Sequence, residues 1–201
     1  MAHRKHKLFT PANIALIGVM TALSTILYMF LPEIPLVPGV GYLKIDFSDI
    51  PAIMLGVLVN PVAGVWVEVF KNLIHLTKTT TFGVGELMNI GVATALIFGM
   101  WGGLKLFARL SHRHAFHPFP YFSAATVTVG LTVLAGWLLN AALTPVFYRV
   151  MGWPLTAELL WAGVWGSTAL NAVKAALNLF PFYPVMYAAH KALERSGKLF
   201  S

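Results

Sequence analysis

Apolar residues occupy this chain in six blocks, each closed by prolines, glycines or a short polar stretch. Most blocks are apolar around the whole helical circumference, as in helices surrounded by lipid or by other helices. The first block predicts a helix over 12–31, stopped by the proline-rich 31–38, which cannot continue it. A second helix over 48–59 is expected to start at Ser48 as N-cap, with Asp49 at the positive end of the dipole and Pro51 in the first turn. Asn60-Pro61 turns the chain into a third helix over 61–76. The fourth and fifth are expected over 86–107 and 122–147, and the last over 167–190, kinked by Pro181 and Pro184. Gly152 to Gly166, carrying three tryptophans, reads as a segment lying along a membrane interface. The second and third segments are short for crossings, and two short spans are preferred over a re-entrant pair.

Composition fixes the class. Of 201 residues, 58% are hydrophobic and 10% charged, far below the roughly 25% charge of soluble domains. The chain is read as a single all-α integral membrane domain over 1–201, with six transmembrane helices. The absence of cysteine excludes disulfides, thiolate metal centres and thiol nucleophiles.

The net charge of +7 does not point to nucleic acid, because the basic residues cluster between apolar blocks. Arg4, Lys5, Lys7, Lys105, Arg109, Arg113, Lys191, Arg195 and Lys198 fall on one side, and Lys44, Lys78 and Arg149 on the other. That asymmetry places both termini in the cytoplasm, with the first block an uncleaved span in a multi-pass plasma membrane protein. Two lysines remain inside helices, Lys71 and Lys174.

Polar groups at membrane depth are costly, so each is a candidate for a site or a helix–helix tie. Asn171, Lys174 and Asn178 share one helical face, and Asn140 on the preceding helix comes to the same outer depth. This set reads as a polar ligand pocket. Glu68, Lys71, Asn72 and His75 line a face of the third helix, where Glu68 and Lys71 are spaced for an ion pair in an interhelical seam. The loop 79–86 combines three threonines with Phe82, Gly83, Gly85 and Glu86, and can lay backbone against a ligand; Glu86 also suits a helix N-terminus. Stretch 44–49 is open between turn chemistry and ligand contact. His112, His114 and His117 read as surface residues of a basic loop, and no metal site is expected. No catalytic set emerges, since nucleophile, base and acid never gather at one depth, and no phosphate-binding loop is present. Ala15, Gly18 and Ala22 on the first helix are spaced for close approach of a partner helix.

The runs 44–52, 61–65 and 83–87, with Lys71-Asn72, resemble the substrate-capture (S) components of energy-coupling factor (ECF) transporters. Asn140 with Asn171-Ala-Val-Lys174 is similar to the flavin-holding residues of the riboflavin-specific (RibU) branch. The resemblance implies a riboflavin-binding subunit, not an enzyme, with no cofactor beyond its cargo. It implies uptake driven by a membrane-coupling subunit and two separate ATPases. On this reading Asn140, Asn171 and Lys174 meet the flavin ring, and Tyr42, Lys44, Phe82, Gly85 and Glu86 surround the ribityl chain. Ala15, Gly18 and Ala22 would dock the coupling subunit. An S component for another vitamin or a purine-like compound is the nearer alternative, and a membrane enzyme the distant one.

Overall fold

The computed structural model describes residues 10–30, 34–35, 44–45, 47–79 and 81–195. Among these the chain is helical, apart from an antiparallel contact between β1 (Ile34–Pro35) and β2 (Lys44–Ile45), in which Ile34 faces Ile45. Helix α1 (Pro11–Met29) starts where the Thr10 hydroxyl accepts the Asn13 N–H, with proline in its first turn. Helices α2 (Ile50–Leu58) and α3 (Pro61–His75) form a hairpin about Asn60, whose side-chain oxygen accepts the Val62 N–H. The hairpin is closed backbone to backbone. A Cβ on Gly64 would fall on the Ala52 carbonyl and on Gly56, and a Cβ on Gly56 would strike Ile97 of the next helix. Glycine is required here by space rather than by conformation.

A 3₁₀ turn (Leu76–Lys78) and the left-handed pair Phe82 and Gly83 lead into α4 (Val84–Ser111). His112, also left-handed, ends it. His117 then caps α5 (Pro118–Met151), accepting the Phe119 N–H on Nδ1. Helices α4 and α5 pack through small residues, with Gly103 against Ala124 and Gly99 against Thr128. Such close packing drives association where lipid removes the hydrophobic incentive. Thr156 caps α6 (Ala157–Leu179), which lies along α5, and α7 (Tyr183–Arg195) follows. The buried centre holds Ile53, Val67, Ile97, Met100 and Tyr121, and the Tyr121 hydroxyl donates to the Leu179 carbonyl at 2.9 Å.

Among the described residues three helices, α1, α4 and α5, are long and apolar enough to cross a membrane. Large apolar side chains such as Val19, Leu110, Leu134 and Trp165 are exposed on the helix exteriors, as a lipid-facing surface requires. Helices α4 and α5 run up to four residues beyond their expected ends, and the elements differ from the sequence expectation more deeply in three places. The expected interfacial stretch is largely helical: α6 begins at Ala157, because Thr156 supplies a cap, not at Ser167. The expected kink at Pro181 is a break between α6 and α7, since proline there ends the backbone ladder. Ser48 is not an N-cap. Asp49 stands at that position without a side-chain capping bond, because its carboxylate is committed elsewhere.

Candidate functional site

The α2–α3 turn and the register of α3 bring a carboxylate and an ammonium to one buried point. Lys71 Nζ lies 2.6 Å from Asp49 Oδ1 and 2.6 Å from Glu68 Oε2, and donates to Ser48 Oγ at 3.2 Å. The Glu68–Lys71 pair expected from spacing is therefore present, with a second acid joined to it. Lys174, arriving from α6, places Nζ 2.9 Å from Asp49 Oδ2. Two acids and two lysines thus share one enclosed, formally neutral cluster, and Glu68 and Lys71 are wholly buried. Low dielectric makes such a cluster strong when complete and costly when one member is removed.

A rail of amides extends from it. Lys174 Nζ donates to Asn89 Oδ1 at 3.3 Å, Asn89 Nδ2 to Asn72 Oδ1 at 3.1 Å, and Asn72 Nδ2 to the Glu68 carbonyl at 2.8 Å. At the same end of α3, His75 Nδ1 lies 2.8 Å from Glu86 Oε1, while the His75 ring stacks on Tyr28 of α1 at 4.1 Å. Thr81 Oγ1 donates to Glu86 Oε2 at 3.0 Å and accepts the Gly85 N–H at 3.2 Å.

Asn140 and Asn171 meet at Gly136. Asn140 Nδ2 donates to the Gly136 carbonyl at 2.7 Å, and the Asn171 side chain fills the space a Cβ on Gly136 would need. Lys174 lies one turn further along α6, where its ammonium meets Asp49 and Asn89 of α4, so of the three residues grouped from sequence Asn140 and Asn171 come together at Gly136 while Lys174 is tied to the α2 start and α4. Further along, Asn178, Thr128 and Thr132 carry buried side-chain polar atoms with no partner among the described residues.

The loop residues divide. Gly85 and Glu86 are engaged by Thr81 and His75, so they shape the loop, whereas Phe82 projects outward, 72% exposed. Tyr42 lies outside the described residues, and Lys44 is described only as backbone in β2, beside α6. Ala15, Gly18 and Ala22 are exposed on α1, and Gly18 borders an apolar groove of about 490 Å³ with Ile14, Ile17, Phe70 and Leu73. Sequence reasoning missed Asn89 and the bridging role of Asp49. Asn89 carried a signal, an amide one turn from Glu86 inside an apolar helix. Asp49 carried a weaker one, a helix-start acid in stretch 44–49 left open between turn chemistry and ligand contact, because its partners lie on other helices, α3 and α6. Chemically, the site offers amides that donate and accept and an ammonium that donates.

The family model described as "ECF transporter, substrate-specific component" matches residues 12–186. Over 88 residues the chain is 31% identical to "Riboflavin transporter FmnP" of Bacillus subtilis (strain 168), which covers 42% of this chain and 45% of that protein. Over 91 residues it is 29% identical to "Riboflavin transporter RibU" of Leuconostoc mesenteroides subsp. mesenteroides, covering 45% of each. The chain therefore spans about half the length of these curated relatives. The solved structure titled "Structure and mechanism of the S component of a bacterial ECF transporter" superposes with a TM-score of 0.69 at 18% identity, covering 93% of this chain and 98% of that one.

Proposed function

The chain belongs to the substrate-specific components of ECF transporters, and from that premise we propose that its cargo is riboflavin. As a member of that family it is a membrane-embedded binding component, neither an enzyme nor the holder of a cofactor. The observation that carries the riboflavin reading is the pair Asn140 and Asn171 at Gly136 with Lys174 one turn further along α6, taken with the riboflavin transporters among its relatives. The flavin ring edge alternates carbonyl and imide groups, which asparagine amides match as donor and acceptor, and the Lys174 ammonium suits a ring carbonyl or nitrogen. Tyr42, Lys44, Phe82, Gly85 and Glu86 belong, on this reading, to the surroundings of the ribityl chain.

The 1–201 chain then forms one domain crossing a bacterial plasma membrane six times with cytoplasmic termini, as the distribution of basic residues supports. The exposed small face of α1, Ala15, Gly18 and Ala22, receives the membrane-coupling subunit, and two ATPase subunits supply the energy. Purified in detergent, the protein is expected to carry a flavin absorption band, depleted in Asn171→Ala. A colourless protein that also fails to quench the fluorescence of added riboflavin overturns the cargo assignment and leaves the family intact.

A further inference from the structure

The three histidines of the turn between α4 and α5 separate in the structure. His112 closes α4 in left-handed conformation, and His117 caps α5 while lying 3.1 Å from Arg113 Nη1. His114 alone turns toward α7. There its Nε2 meets His190 Nε2 at 2.8 Å and Glu194 Oε1 at 3.3 Å, and His190 Nε2 lies 3.2 Å from the same oxygen. We propose that His114, His190 and Glu194 bind a zinc-like divalent cation that fastens α7 to the turn between α4 and α5.

The triangle has the right size, because tetrahedral ligands about 2.0–2.1 Å from zinc stand roughly 3.3 Å apart. The donor set, two imidazoles and one carboxylate, matches a known zinc ligand class that leaves a position open. His190 and Glu194 are one turn apart on α7 and present one face. The His190 ring is held by stacking on Phe116 at 4.3 Å and is only 5% exposed, so its Nε2 is aimed before any ion arrives. Two Nε2 atoms at 2.8 Å need a proton or a cation between them, and the Glu194 carboxylate offsets part of a cation's charge. His114 and Glu194 are half-exposed, giving an ion a path and the open position a water.

His114 Nδ1 accepts the Phe116 N–H at 3.2 Å, so coordination through Nε2 moves the His114 proton to Nδ1 and forfeits that contact. Together with the open position, this makes the site weaker than a closed structural zinc centre.

The test uses the full chain in detergent, with any affinity tag removed and metal stripped by a chelator, titrated calorimetrically with zinc chloride and, as control, magnesium chloride. One zinc per chain, no magnesium heat, and a loss of more than about tenfold in affinity in both His114→Ala and Glu194→Gln support the site. Both variants change exposed side chains, and unchanged melting of the metal-free proteins checks that they fold. No zinc heat, or equal affinity in both variants, overturns it, the latter placing the metal on other histidines. Riboflavin binding is read in parallel and is expected to be unaltered by either variant.

Discussion

Along α3, Glu68, Lys71 and Asn72 place nearly every polar atom against a partner, leaving only Glu68 Oε1 unmatched among the described side chains of that seam. Across α5 and α6 the polar residues are as buried but less provided for. Thr128 Oγ1, Thr132 Oγ1, Trp137 Nε1 and both amide atoms of Asn178 find no partner among the described residues. The two regions carry similar chemistry and differ in how far it is satisfied. A seam that satisfies itself holds helices in register. A seam with unspent donors and acceptors keeps capacity for a guest, at a cost in stability.

The hardest blow to that contrast is Lys71→Ala, which strands Glu68 in the interior and leaves Asp49 to Lys174. It is expected to destabilise the protein by about 3–5 kcal/mol, read as loss of the monodisperse peak on heating in detergent. Asn171→Ala, on the other seam, should leave the melting transition nearly in place while weakening riboflavin by about 1–3 kcal/mol. If Lys71→Ala melts like the parent, the α3 seam is not structural. Next comes Gly64→Ala. Its methyl meets backbone atoms of Ala52 and Gly56 that cannot swing aside, so the α2–α3 hairpin should open at a cost of about 1–3 kcal/mol, again read by melting. Asn89→Ala removes the link between the seams and should cost about 1–2 kcal/mol, with riboflavin affinity falling as Lys174 loses a fixed acceptor. Smallest is Thr132→Val, which replaces an unpartnered hydroxyl by an isosteric methyl. Stability should stay within about 0.5 kcal/mol of the parent or rise slightly, and a clear loss would mean the hydroxyl is bonded after all.

Local signals in the sequence were enough to find the helices and the Glu68–Lys71 pair. Proline and glycine punctuation marks α1, α2 and α3 closely, and spacing along one helix suffices for an i, i+3 pair. What depends on helices meeting was not legible. Asp49 reads as a helix-start residue, and only the packing of α2 against α3 and α6 turns it into the counter-ion of two lysines. His114 reads as one of three loop histidines, and the carboxylate it lacks nearby in sequence arrives on α7, after a break at Pro181. Hydropathy likewise hid the start of α6, since its tryptophan-rich first turns look interfacial while Thr156 caps them as helix.

Asp49 has one oxygen on Lys71 and the other on Lys174, which makes it a shared countercharge between α3 and α6. A guest that recruits the Lys174 ammonium competes for Oδ2 and leaves the full carboxylate charge to Lys71. On the proposed reading, occupancy on α6 would thereby be felt on α3, whose Phe70 and Leu73 line the groove against α1. On that reading, the Asp49 side chain would connect the guest's pocket to the α1 face, and by reciprocity a partner pressing on that face would alter the grip on the guest.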